Sequence, residues 1–124
     1  MLKTIEIKNY LLIESIKVDF DDNFNIITGE TGSGKSILIG ALNLLVGSRV
    51  DHKVVGTSNK KCIIEAIFLI DENLKDKFLG LDIDFDEESF FRREILSNGK
   101  SRAFINDTPV KLETLKHVTL DLIN

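Results

Sequence analysis

The stretch NIITGETGSGKSILIGALNLLVG, Asn25 to Gly47, decides how the rest of the chain is read. Gly29, Gly34, Lys35 and Ser36 fit G-x-x-x-x-G-K-[ST], the P-loop or Walker A pattern, in which glycines let backbone N–H groups turn inward around an anion. The flanks suit it. Asn25 to Thr28 read as a short β-branched strand, and Ile37, Leu38, Ala41, Leu42 and Leu45 recur at helical spacing until Gly47 offers a stop. Strand, glycine loop and helix N-terminus therefore follow in the order a phosphate cradle needs. Gly29, Glu30, Thr31, Gly32, Ser33, Gly34, Lys35 and Ser36 are the expected nucleotide-binding residues. Lys35 is expected to neutralise β- and γ-phosphate oxygens, Ser36 to offer its hydroxyl to Mg²⁺, and the helix dipole to favour the negative charge. A glycine turn that joins strand to helix and binds nothing is the plain alternative, and the fixed spacing together with both flanks outweighs it.

Outward from this block, composition sets bounds. At 124 residues and 43% hydrophobic, the chain has the size of one domain with a core of moderate volume. A doubly wound nucleotide-binding domain alternates several strands and helices, whereas this sequence shows one long apolar helix and many short strands. The net charge of −4 does not support a large basic DNA-binding face, although cations gather at Lys60 and Lys61 and from Arg92 to Arg102. A single cysteine excludes an internal disulfide, and no apolar run has the length of a signal peptide or a membrane span, so the chain reads as cytosolic. Cys62 opens an apolar strand and is expected to be a buried structural thiol. His52 and His117 have no second ligand at metal spacing.

LKTIEIKNY and SIKVDF read as two strands, so that with Asn25–Thr28 three strands precede the helix. SRVDHKVVGTSNKK reads as a loop, CIIEAIFLI as an apolar strand, and ENLKDKFLGLDIDFDEE as a short helix or irregular excursion ending in an acidic loop. Ser89 to Asn106 reads as a hairpin, with Asn98 and Gly99 as the dipeptide that a type I′ turn prefers. After a turn at NDTP, VKLETLKHV suggests a short helix with Leu112, Leu115 and Val118 on one face, and LDLIN the beginning of another strand.

The opening IEIKNYLLIESIKVDF, the block TGETGSGKSILIGALNLLVGSR and the run FRREILSNGKSRAFINDTPVKLETL together resemble the RecN family, bacterial double-strand-break repair proteins related to the SMC group of ABC-type ATPases. The resemblance runs over nearly all of residues 1–124, in the family's order. It implies an α/β (α+β) P-loop NTPase fold, the N-terminal lobe of an ABC/SMC-type ATP-binding head, with an antiparallel β-subdomain beside the P-loop strand and helix. It also implies ATP and Mg²⁺ as cofactors and DNA as a target. A second copy of the head and the protein's own C-terminal half are the implied partners, with no membrane and a cytoplasmic, nucleoid-associated location during repair. In such families the signature motif, Walker B carboxylates and switch histidine come from the C-terminal part, and the Q-loop glutamine follows a strand resembling LDLIN. None is assignable here, so no catalytic residue is named and hydrolysis is expected of the complete protein and its dimer, not of this segment alone.

Two features remain open at this stage. Arg92, Arg93, Lys100 and Arg102 lie on facing arms of the hairpin, either as a basic face toward DNA or a partner head, or as a solvated face partnered by acids such as Glu94. Ile67 to Ile70 followed by Asp71 and Glu72 has the look of a Walker B strand, but reads equally as a buried strand ending in two solvated acids. The competing functions are a self-contained small P-loop kinase or GTPase and a non-catalytic interaction module. The first lacks its marks: there is no arginine-rich lid and no N-K-x-D motif.

Overall fold

The apolar and β-branched runs become strands: β1 (Leu2–Tyr10), β2 (Ile13–Asp19), β3 (Cys62–Leu69), β4 (Glu88–Ile95), β5 (Ser101–Ile105) and β6 (Thr108–Val110). The computed structural model describes residues 1–20, 32–48 and 60–123, with side chains from residue 36 in the second segment and to residue 122 in the third. Within these residues the strands form one sheet in the order β2-β1-β3-β4-β5-β6, every neighbouring pair antiparallel. Three helices accompany it: α1 (Gly32–Leu45), α2 (Lys75–Gly80), entered through a 3₁₀ turn at Glu72–Leu74, and α3 (Leu112–Ile123).

Pairing register decides which residues meet the helices. Ile5, Ala66, Phe91 and Ile105 stand side by side across β1, β3, β4 and β5, and Ile7, Ile64, Arg93 and Ala103 form the next row. Because successive side chains alternate between faces, both rows share one side of the sheet, and all of these residues are buried. α1 packs there on β3 and β4 through Ala41, Leu44 and Leu45, and α3 on β5, with Leu115 and Val118 in the same core. The opposite face carries Glu6, Glu65, Arg92 and Phe104 in one row and Lys8, Ile63, Glu94 and Arg102 in the next. Antiparallel sheets accept such one-sided burial because the turns joining their strands leave one face free of helices.

The structure departs from the sequence reading at the hairpin turn, in LDLIN, and at Thr108–Val110, which forms β6 beside β5 in place of the expected turn and helix start. A type I′ turn needs positive φ at both central residues, but only Gly99 is left-handed, at φ +89, and Asn98 is not. The Gly99 N–H donates to the Leu96 carbonyl at 2.9 Å, and the Leu96 N–H to the Lys100 carbonyl at 2.8 Å. Ser97 and Asn98 are thus the central residues, with Gly99 in the left-handed position after them, while Asn98 Oδ1 accepts from the Lys100 N–H at 3.0 Å. The second departure is LDLIN, whose residues to Ile123 continue α3 instead of opening a strand. Leu112, Leu115, Val118 and Leu122 keep a three-four spacing against the core. The buried Thr119 hydroxyl donates to the Leu115 carbonyl at 2.8 Å, a partner that only helical backbone brings within reach. The strand expected at Asn25–Thr28 and most of the expected loop after Gly47 lie outside the described residues.

Candidate functional site

Of the expected phosphate-binding residues, Gly32, Ser33, Gly34, Lys35 and Ser36 form the start of α1, while Gly29, Glu30 and Thr31 lie outside the described residues. The helix begins five residues before its first apolar-periodic position, Ile37. Glycine is a poor helix former, but the first N–H groups of a helix need no intrahelical acceptor and stay available to an anion. The first turn holds no acidic residue, and Ser36 is exposed. This N-terminus suits a phosphate chain in the sign of its dipole. At the other end Gly47 stops the helix at φ +100, as its sequence position suggests. A Cβ on Gly47 would also lie 2.9 Å from Lys116 Cβ, so the same glycine admits α3.

Two side chains from the sheet seat this helix. The Tyr10 hydroxyl abuts α1 at Gly40, where a Cβ would be 2.6 Å from it. Arg93, 2% exposed, reaches from β4 to the end of α1 and donates through Nη1 to the Leu44 carbonyl at 2.7 Å and to the Ser48 carbonyl. Burial lowers the Arg93 pKa, opposed by nearby Cys62. Cys62 is fully buried as expected, and burial pushes its thiol up to about 11, so it is neutral and no nucleophile at neutral pH. Neither Tyr10 nor Gly40 was singled out by the sequence, since nothing local marks a contact between residues thirty apart.

The hairpin cations do not act together. Strand alternation sends Arg93 into the core under α1, which removes it from any surface for DNA or a partner head. Arg92 is held by Glu65 at 2.9 Å and by Glu94 at 2.8 Å; Arg102 pairs with Glu94 at 3.0 Å, and Lys61 with the same carboxylate at 3.3 Å. Lys100 is exposed in the turn. Glu94 is the hub of this face. Burial raises its carboxyl pKa, but hydrogen bonds and charge from Arg92 and Lys61 outweigh that and hold it below the usual 4.5. A depressed folded-state value means that Glu94 contributes stability above its unfolded pKa and loses it as the pH falls through the folded value. Glu94→Gln is therefore expected to lower the urea midpoint at neutral pH and to show a smaller further drop between about pH 5 and pH 3 than the parent protein. An unchanged acid dependence would mean that the hub carries no net coupling.

Asn106 is a second residue whose role the sequence did not disclose. Its side chain accepts from the Phe90 N–H at 3.1 Å and donates to the Asp84 carbonyl at 2.9 Å and Ser89 Oγ at 3.1 Å. The turn between β5 and β6 is thereby tied to the acidic loop before β4.

Asp71 and Glu72 fall at the far end of the sheet. The Asp71 carboxylate caps the 3₁₀ turn by accepting from the Asn73 N–H at 3.1 Å, and Glu72 is exposed. A cavity of about 700 Å³ beside them is lined by Met1, Leu69, Ile70, Asn73, Leu74 and Asp121, but Asp121 is already paired with Lys77. Followed from Leu44 back to Gly40, α1 moves from the level of Arg93 to that of Tyr10, away from Asp71. Asp71 lies nine residues beyond Cys62, roughly 30 Å along an extended strand. β3 is thus a central antiparallel strand followed by two solvated acids.

A family model described as AAA ATPase domain matches residues 1–120. The chain belongs to the AAA ATPase domain family. This AAA ATPase domain chain is homologous to the DNA repair protein RecN. It is 38% identical over 126 residues to RecN of Vibrio cholerae serotype O1, the match covering 100% of the chain and 23% of that protein. The chain spans about a fifth of the length of the curated relatives it matches. Among solved structures, it resembles a chain from work on ATP-driven dimerization and DNA-stimulated activation of SMC ATPases, with a TM-score of 0.72 at 19% identity, covering 96% of this chain and 77% of that one. It also resembles the recombination mediator protein RecF with ATPrS, with a TM-score of 0.65 at 17% identity, covering 93% and 29%. These likenesses establish the fold as the N-terminal lobe of a P-loop ATPase head, and membership of an ATPase family implies a nucleotide site. Among the described residues no helix is long and apolar enough to cross a membrane.

Proposed function

We propose that this chain is the ATP-binding segment of a RecN-like ATPase that acts in DNA double-strand-break repair and recombination. The observation that carries the reading is a helix beginning at Gly32, inside GETGSGKS, in a chain matched to the AAA ATPase domain over residues 1–120. The amides of Gly29 to Gly34 would cradle the phosphate chain, Lys35 would neutralise its outer oxygens, and Ser36 would hold Mg²⁺. ATP supplies the phosphoryl group and its bound metal neutralises developing charge.

The segment's share of the work is binding and orientation. Hydrolysis needs a group to orient water and a carboxylate near Mg²⁺, and we read Asp71 and Glu72, solvated acids after the end of β3, as neither. We assign those groups to other parts of the complete protein and to a second copy of the head closing over the nucleotide. DNA would be the target, in the cytoplasm and on the nucleoid. Lys100 and Arg102, the hairpin cations with the most exposure, are the proposed contacts to DNA or to the partner head.

Titrating the protein with ATP by calorimetry tests the reading: saturable binding, competed by ADP, is expected, and its absence would sink it. The 124-residue chain is expected to hydrolyse no ATP above background. In the complete protein, Glu72→Gln is expected to leave turnover near the parent value. A fall of several orders of magnitude with binding intact would instead make Glu72 the catalytic base and favour a self-contained NTPase.

A further inference from the structure

We infer that Arg93 is a positioning residue of the nucleotide site: from the core face of β4 it holds the C-terminus of the P-loop helix and so sets the place of that helix's N-terminus. The inference rests on the proposed nucleotide binding at the start of α1.

Arg93 occupies a core position between Ile64 and Ala103, where an aliphatic side chain would avoid desolvating a cation. Among the described residues no carboxylate pairs with it to offset that cost. Its described hydrogen-bond acceptors are the Leu44 and Ser48 carbonyls, at the end of α1 where a helix leaves its carbonyls unpaired and its dipole is negative. Among the described residues Nε has no partner, and the hydrogen bonds of the buried guanidinium run to the end of α1 and the turn that follows it. Moving the helix along its axis or about it would strand a charge in the core, and the penalty for an unpaired buried cation is far steeper than for a displaced leucine. Tyr10 against Gly40 supplies a second point of contact four residues earlier on the helix. Two contacts one turn apart oppose sliding of the helix along its axis. From Leu44 to Gly32 a helix is a stiff rod of about 18 Å, so a shift at the clamp is delivered to the first-turn amides, Lys35 and Ser36. Phosphate recognition by several converging donors is sensitive to displacements on the order of 1 Å.

The test uses the complete protein with Arg93→Met, which keeps length and removes charge and donors, and Arg93→Lys, which keeps the charge. Arg92→Met, on the opposite face of the same strand, is the control, and ATP dissociation constants are read beside melting temperatures with and without ATP. Arg93→Met, at a temperature where circular dichroism shows it folded, is expected to bind ATP roughly tenfold more weakly and to lose most of its ATP-induced rise in melting temperature. Arg93→Lys should recover part of that affinity, and Arg92→Met should match the parent. A folded Arg93→Met protein with parental affinity overturns the inference, because a residue needed only for the fold would lower the melting temperature and leave affinity alone. Should Arg93→Met fail to fold, Arg93→Lys decides: affinity weakened about threefold or more supports positioning, and parental affinity overturns it. If the parent itself shows no saturable ATP binding and Lys35→Ala changes nothing, the nucleotide reading fails and the inference falls with it, a result distinct from loss in Arg93 variants alone.

Discussion

Lys35→Ala is expected to weaken ATP binding by roughly ten- to a hundredfold, since a charge-assisted hydrogen bond to phosphate contributes about 1.5 to 3 kcal/mol. Lys35 lies in the first turn of α1, next to the exposed Ser36 and in a turn free of acidic residues. The substitution removes the only lysine or arginine of that turn while leaving a strong helix former in its place, so the effect should fall on affinity and not on the fold. Calorimetry, with melting temperature measured alongside, separates the two. Equal affinity in the folded mutant would remove the phosphate cradle from this helix and leave the interaction-module reading in its place.

The largest expected loss of stability belongs to Phe91→Ala. Phe91 is fully buried on β4, flanked in register by Ala66 and Ile105, and its ring meets that of Phe68 edge-to-face at 5.3 Å and 79°. Truncation deletes a large apolar group and leaves a cavity that strands paired on both sides cannot close. The expected cost is about 3 to 5 kcal/mol, a large part of the roughly 5 to 15 kcal/mol by which a domain is stable. Phe104→Ala, on the open face opposite Arg92, removes the same atoms from a half-exposed site and should cost far less. Urea midpoints of the two variants therefore test the one-sided sheet directly, and equal losses would contradict it.

Much of this architecture is legible in the chain because its signals are local. β1 covers LKTIEIKNY as read, β3 opens at Cys62 as read, and α1 stops at Gly47 because only a residue at ease at φ +100 closes a helix there. The P-loop pattern is a run of eight residues, so it is written in adjacent letters. The hairpin of β4 and β5 was likewise legible, though its turn type was not. Asn98 and Gly99 suit two loop geometries, and the pairing of Ile95 with Ser101 is what selects the longer one.

The tertiary structure decided the rest, for reasons of register and burial. LDLI alternates like a strand when read alone, and becomes helix because Val118, Thr119 and Leu122 are drawn onto the core behind Leu115. Arg92 and Arg93 are neighbours of identical chemistry. One faces solvent among Glu65 and Glu94, and the other lies under the P-loop helix, since the alternation of a strand separates them and its pairing settles which goes inward. Asp71 and Glu72 look like a Walker B pair in sequence, whereas the fold places them after the end of an antiparallel strand between β1 and β4, with Asp71 capping a 3₁₀ turn. By itself the sequence determined the P-loop pattern, the helix that follows it and the family. Which side chains the sheet turns toward that motif depends on pairings between residues tens of positions apart, and only the folded chain brings those together.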